Sequence, residues 1–167
     1  MADFYQNGIV TTLHNLVDRP VEDMERELMS LSRLRPMSLV LPSLFSELEG
    51  PALDNIINEV AQVPYLNEIV IGLDRADEAQ YKYAQNFFSR LPQHHRILWN
   101  DGPRLKQLDE QLQKEGLAPT EMGKGRNVWY CYGYVLASGR AEAVALHDCD
   151  IVTYDRSLLA RLIYPVA

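Results

Sequence analysis

One apolar run sets the architecture of this chain, and it reads Pro36-Met37-Ser38-Leu39-Val40-Leu41-Pro42. Its continuous apolar character between two prolines is typical of a strand that is buried on both faces. Three more runs of this kind follow along the chain, at residues 68–73, 96–99 and 142–147. The sequence therefore predicts four strands, each short and buried.

Segments with helical periodicity separate these strands. A helix over residues 20–34 is predicted by apolar residues at three- and four-residue steps, namely Val21, Met24, Leu28, Leu31 and Leu34. Further helices are predicted at 51–62, 77–90, 103–115, 126–138 and 155–163. Strands alternating with helices predict an α/β fold, a three-layer arrangement of a mostly parallel sheet with helices on both faces. Residues 8–13 could form a short strand or an extended arm.

Composition narrows the class of protein. The chain has 167 residues, 47% of them hydrophobic, which suits one globular domain. Its 16 Lys and Arg residues against 23 Asp and Glu residues give a net charge of −7, which argues against a broad nucleic-acid or anionic-membrane surface. The two cysteines are too few for the disulfide framework of a secreted protein. The sequence also shows neither a signal peptide nor an apolar run long enough to cross a membrane. We therefore expect a cytoplasmic protein.

Ligands of such folds bind outside the carboxyl ends of the strands, so we look there first. Pro42 after the first strand is expected to stop sheet pairing and leave backbone groups for a ligand. Glu47 could accept hydrogen bonds from a base or ribose, while Ser46 and Glu49 match a capping box. Asp74 after the second strand could hold a nucleobase or ribose, and Asp77 is expected to cap the next helix.

A glycine-rich segment, Gly123-Lys124-Gly125-Arg126, precedes the fifth predicted helix. Such a segment can present backbone N–H groups, a cation and a positive helix end to an anion. Arg126 would supply a second cation, and the alternative is a solvated loop.

The strongest feature is the fourth strand running into Asp148-Cys149-Asp150. Two carboxylates at a strand end suit Mg²⁺ or Mn²⁺, which usually bind one or two carboxylates together with substrate phosphates. We expect Cys149 to be a small buried hydrophobic residue and His147 to be structural. An Asp-x-Asp after an apolar strand is found both in haloacid-dehalogenase-type phosphatases and in nucleotide-sugar glycosyltransferases. A non-catalytic nucleotide-binding fragment is the third alternative.

The four motifs occur in one order: Ser38–Leu44, Glu68–Asp74, Gly123–Arg126 and Asp148–Asp150. Together they resemble the Rossmann-like nucleotide-binding half of a GT-A glycosyltransferase. Within that fold the chain resembles the glucosyl-3-phosphoglycerate synthases and their mannosylglycerate-type relatives, over about Met37 to Tyr154. The match is to the N-terminal half of such an enzyme.

The resemblance implies roles for individual residues. The family's segment Pro-Ala-Leu-Asn-Glu-Glu, which holds the uridine, corresponds to Pro42, Ser43 and Leu44, with Glu47 as the remaining carboxylate. The family's Asp-Ser-Gly-Ser-Thr-Asp loop after the second strand is replaced here by Leu73-Asp74-Arg75-Ala76-Asp77. The resemblance further places Lys124 at the nucleotide or sugar diphosphate, Asp148 at the ribose or sugar, and Asp150, with Asp148, at the metal.

The implied activity is metal-dependent transfer of a hexose, expected to be glucose, from a UDP- or GDP-sugar to a small acceptor such as 3-phosphoglycerate, with retention. Asp148 and Lys124 would be the catalytic residues and Mg²⁺ or Mn²⁺ the cofactor. We expect residues 1–35 to form an N-terminal arm and helix, and 36–167 a donor-binding domain that stops before the acceptor-binding part. An apolar face left uncovered would favour a homodimer.

Overall fold

The structure is a computed structural model that describes residues 19–167. The predicted strand or arm at residues 8–13 lies outside this range. Within it all six predicted helices and all four predicted strands are present. They follow the chain as α1 (Val21–Leu31), β1 (Met37–Leu44), α2 (Pro51–Val60), β2 (Leu66–Asp74), α3 (Glu78–Phe88), β3 (His95–Trp99), α4 (Pro103–Lys114), α5 (Lys124–Ser138), β4 (Ala143–Leu146) and α6 (Arg156–Ile163), with short 3₁₀ turns at Phe45–Glu49 and Tyr164–Val166.

The four strands form one parallel sheet in the order β3-β2-β1-β4. The register places Val40 of β1 between Val70 of β2 and Leu146 of β4. All the strands run in one direction, so the carboxyl ends of β1, β2 and β4 meet at one edge of the sheet. The predicted α/β class and parallel sheet are confirmed.

Each face of the sheet packs against helices. On one face Leu39 and Ile71 belong to a core formed with α1, α2, α3 and α6. On the other face Val40 and Val70 pack against Cys131 of α5. Met24 and Leu28 of α1 are buried in the first of these cores, alongside the sheet. Continuous apolar strands are therefore required, because both faces are covered.

The prediction that Pro42 stops sheet pairing is wrong. β1 continues past Pro42, and Leu44 still pairs with Asp74 of β2. On the other side the last backbone bond runs from the His147 N–H to the Val40 carbonyl, at 3.1 Å. Residues two apart on a strand direct their backbone groups to the same neighbour, so Pro42 faces the side that β4 has already left. A missing N–H costs nothing there.

Candidate functional site

The carboxyl ends of β1, β2 and β4 and the start of α5 enclose a cleft with a cavity volume of about 200 Å³. The structure brings together here eight residues that the sequence predicted for the site, although they are spread over more than one hundred positions of the chain. They are Pro42, Ser43, Leu44, Glu47, Asp74, Lys124, Asp148 and Asp150. Four further residues, Arg75, Gly123, Asn127 and Cys149, also line the cleft.

Glu47 forms part of the wall that follows β1. Its Oε2 accepts a hydrogen bond from the Leu44 N–H at 2.9 Å, which ties the 3₁₀ turn back to the strand. The predicted capping box between Ser46 and Glu49 is therefore wrong, because the capping carboxylate is Glu47. The half-buried Glu47 carboxylate is held at the cleft by this bond.

The wall that follows β2 is fixed by the neighbouring turn. Asp77 caps α3 as predicted, its Oδ1 accepting from the Gln80 N–H at 2.8 Å. Asp101, in the turn that follows β3, accepts from the Ala76 N–H with its Oδ2 at 3.0 Å. Asp74 therefore lies at the cleft on a well-anchored segment.

The glycine-rich segment is helical rather than a loop. We expected the fifth helix to start at Arg126, but α5 begins at Lys124, directly after Gly123. Gly123 has φ 139°, a backbone conformation that side chains with a Cβ rarely adopt. Lys124 thus occupies the first turn of a helix of 15 residues, where the helix dipole is positive.

Asn127 fixes this first turn onto the sheet. Its Nδ2 donates to the Gly72 carbonyl of β2 at 2.7 Å, and the contact is buried. A Cβ at Gly72 would lie 1.9 Å from the Asn127 Oδ1, so only glycine permits the approach. No motif marks Asn127 as a site residue, but a glycine inside a buried strand is a signal of close packing.

Lys124 and Asp148 form an ion pair across the cleft. Their side chains are 56% and 45% exposed. Asp150 is also exposed at the cleft. The part of the cleft between β4 and the start of α5 therefore presents one cation and two carboxylates to a ligand.

Arg126 lies on the far side of the α5 start. Its Nη2 is 2.6 Å from Asp109 Oδ2, and the hydroxyl of Tyr130 donates to the same carboxylate. Burial, and then the hydrogen bond to Asp109, raise the pKa of Tyr130 above its usual value. Arg126 lines a neighbouring cleft and not the one that contains Asp148, so the structure places only Lys124 of the two predicted cations at the site.

His147 supports the strand end that carries Asp148. The ring is buried, with Nδ1 3.0 Å from the Tyr154 hydroxyl. Burial lowers the pKa of His147 to about 4, and the nearby Asp148 opposes this only partly. Cys149 is 2% exposed, and burial raises the pKa of its thiol. Cys149 has the buried position that the sequence predicted, and the buried, hydrogen-bonded ring of His147 agrees with the structural role expected for it.

Asp148 and Asp150 supply few metal ligands by themselves. Among residues 19–167 no group of three or more His, Cys, Asp or Glu side chains is placed to hold a metal ion. Mg²⁺ and Mn²⁺ sites that use one or two carboxylates take their remaining ligands from water and phosphate oxygens. The donor set at this cleft fits a cation of that kind.

Comparison with known sequences identifies two similar proteins. The chain is 48% identical over 166 residues to glucosyl-3-phosphoglycerate synthase from Persephonella marina, covering 99% of this chain and 41% of that protein. The resemblance is to glucosyl-3-phosphoglycerate synthases. The enzyme of that name from Methanococcoides burtonii is 39% identical over 166 residues, covering 98% of this chain and 40% of that protein. The chain thus spans about two fifths of the length of these relatives.

Solved structures agree with the fold. A mycobacterial protein superimposes with a TM-score of 0.55 at 17% identity, over 91% of this chain and 42% of that one. Glucosyl-3-phosphoglycerate synthase from Mycobacterium tuberculosis, solved in complex with Mn²⁺, UDP and glucosyl-3-phosphoglycerate, gives a TM-score of 0.50 at 17% identity, over 85% of this chain and 42% of that one. No protein-family model matches the chain. Across residues 19–167 there is no helix of the length and apolar character needed to cross a membrane.

Proposed function

We propose that the chain is the donor-binding part of a metal-dependent glycosyltransferase that moves glucose from a nucleoside diphosphate sugar to 3-phosphoglycerate, with retention at the anomeric carbon. One observation carries the proposal: residues from three strand ends and one helix start, predicted separately from motifs, line one cleft. The 48% identity to a glucosyl-3-phosphoglycerate synthase supports the choice of substrates.

The nucleoside is proposed to lie between the ends of β1 and β2. Pro42, Ser43 and Leu44 form an apolar and backbone-rich wall, and the carboxylates of Glu47 and Asp74 flank it. Carboxylates can accept hydrogen bonds from ribose hydroxyls and from base N–H groups. This arrangement would orient the nucleoside and leave its diphosphate towards β4.

Lys124 is proposed to bind the diphosphate. It lies at the positive end of α5, and its present partner Asp148 is half exposed, so the amine can exchange a carboxylate for a phosphate at little cost. Stabilising the departing diphosphate is electrostatic catalysis, in which a positioned cation meets charge as it develops. Asp148, released from Lys124, would then face the ribose or sugar.

Asp150, with Asp148, is proposed to hold the divalent cation. A bound Mg²⁺ or Mn²⁺ would neutralise the diphosphate leaving group. Their donor set fits such a cation because carboxylate oxygens are its preferred ligands and the phosphates would complete the coordination. We assign no general base among the cleft residues.

The phosphatase alternative has no observation that favours it. It would use Asp148 as a nucleophile, but that carboxylate is paired with Lys124 and follows the last strand of the described sheet.

We further propose that the protein acts in the cytoplasm and associates as a homodimer. Sedimentation of the purified chain would test the second point, and a monomer at all concentrations would reject it.

Calorimetric titration of UDP-glucose and GDP-glucose, each with and without Mn²⁺, tests the proposal. We expect metal-dependent binding of at least one of them. Asp150→Asn should weaken that binding about tenfold or more, because a metal-bound phosphate contact is lost. Glu110→Gln, which removes an exposed carboxylate of α4, is the matched control and should leave binding unchanged. If neither UDP-glucose nor GDP-glucose binds, with or without Mn²⁺, the proposal is rejected.

A further inference from the structure

Arg75 has an unusual backbone conformation at the end of β2. It is the single non-glycine residue with positive φ in the described range 19–167, at 56°. The left-handed conformation is unfavourable for a residue with a Cβ, and glycine avoids that cost. Such residues persist where the surrounding structure enforces them, and they are concentrated at ligand sites.

The surrounding structure does enforce it. The next residue, Ala76, is held at both backbone groups: its N–H donates to Asp101 at 3.0 Å, and its carbonyl accepts from the Trp99 Nε1 at 2.7 Å. On the preceding side the Leu73 carbonyl accepts from the Asn100 N–H at 2.9 Å. Arg75 is therefore held between two anchored residues, Leu73 and Ala76.

The side chain of Arg75 lies at the cleft without a partner. Within the part of the chain that the structure describes, its guanidinium makes no hydrogen bond or ion pair. The cleft is lined by four carboxylates, Glu47, Asp74, Asp148 and Asp150, and two cations, Arg75 and Lys124. Lys124 is paired with Asp148, so of these two cations Arg75 is the one that has no carboxylate partner to give up.

A phosphate-bearing ligand that enters this acidic cleft needs positive charge. A guanidinium is suited to phosphate because its planar fork of N–H donors matches two phosphate oxygens. We propose that Arg75 is a phosphate-binding residue of this cleft, a claim that rests on the proposed function. The phosphate would be either that of the nucleotide donor or the ester phosphate of the acceptor.

Three substitutions at Arg75 separate phosphate binding from a role in the fold. R75G removes the guanidinium and the backbone strain, R75A removes the guanidinium alone, and R75K keeps the charge without the planar fork. We expect the melting temperature of R75G to equal or exceed that of the unchanged chain. A lower melting temperature for R75G would show that Arg75 serves the fold, and would overturn the proposal.

Calorimetry with four probes identifies the phosphate: UDP with Mn²⁺, 3-phosphoglycerate, inorganic pyrophosphate, and uridine as the phosphate-free control. R75G and R75A should bind UDP or 3-phosphoglycerate about tenfold more weakly or worse, with R75K intermediate and uridine unaffected. A loss confined to UDP assigns the nucleotide phosphate, and a loss confined to 3-phosphoglycerate assigns the acceptor phosphate. The control K82A removes a cation of α3 that is paired with Glu78 and should change none of these affinities.

The proposal is overturned if R75G binds every phosphate-bearing probe as the unchanged chain does, or if the unchanged chain binds none of them. Failure of the proposed function looks different. In that case pyrophosphate binds in an Arg75-dependent way, while UDP-glucose and GDP-glucose do not bind with Mn²⁺.

Discussion

Two acid–cation pairs flank the first turn of α5, and they differ in exposure. Lys124 pairs with Asp148 across the open cleft, with side chains 56% and 45% exposed. Two residues further on, Arg126 pairs with Asp109, with side chains 18% and 17% exposed and the Tyr130 hydroxyl as a third member. The segment Gly123–Arg126 therefore places Lys124 at an open cleft and Arg126 in a shielded network.

The difference in exposure predicts which of the two pairs matters for binding and which for stability. An exposed pair contributes about 0–1 kcal/mol, so its members can change partners easily. A shielded pair is costly to break, because removing one partner leaves the other charged and poorly solvated. We therefore propose that Lys124 serves ligand binding and that Arg126 supports the helix start.

The largest predicted effect is the loss of the shielded pair. Asp109→Ala leaves Arg126 and Tyr130 without their shared acceptor, and should lower the free energy of unfolding by about 3 kcal/mol. For a chain of this size the melting temperature should fall by roughly 6–12 °C in a calorimetric scan.

Asp54→Ala provides the matched control for this loss. It breaks the Arg90–Asp54 pair, whose side chains are 38% and 52% exposed, and should cost about 1 kcal/mol or less. Equal losses for the two variants would mean that the shielding of Asp109 has no energetic consequence.

Breaking the exposed pair should affect binding rather than folding. Lys124→Met is expected to weaken nucleoside diphosphate binding about 10- to 100-fold, because a charge-assisted phosphate contact is lost. The same variant should bind Mn²⁺ alone more tightly than the unchanged chain does, since Asp148 no longer has a cation beside it. Calorimetry measures both changes, and unchanged nucleotide affinity would contradict the assignment of Lys124.

A smaller effect concerns His147, the buried residue next to Asp148 of the exposed pair. The pKa of His147 falls to about 4 in the folded chain, below its ordinary value, so its contribution to stability is full above about pH 6.5 and is lost as the pH falls towards 4. Between pH 7 and pH 5 this single group should cost about 2 kcal/mol. Thermal unfolding at both pH values should show a smaller loss in His147→Gln, and identical losses would remove His147 as the cause.

The sequence predicted the elements well, because each strand is an apolar run and each helix has an apolar stripe. It also predicted that the candidate site residues which follow strands lie together, since Asp74, Asp148 and Asp150 reach one edge once the sheet is parallel. The end of β1 was harder to predict, because Pro42 removes a donor on only one side of the strand, and sequence does not say which neighbour ends first.

Other features of the site depend on contacts between distant residues. Lys124 lies at the cleft and Arg126 does not, because Asp109 of α4 pairs with Arg126. The left-handed conformation of Arg75 follows from bonds that Trp99 and Asp101 make to Ala76. The anchoring of α5 depends on Asn127 meeting Gly72 across the sheet. No local pattern encodes these pairings.

The most direct test is a crystal structure of the chain grown with UDP and Mn²⁺, with diffraction data collected to reveal manganese by its anomalous signal. We predict an anomalous peak at Asp150 in the cleft, the diphosphate against Lys124, and the Lys124–Asp148 pair separated. Uridine density between Glu47 and Asp74 should accompany it. A nucleotide bound elsewhere, or a manganese peak away from Asp148 and Asp150, would contradict the proposal that this cleft is the donor site.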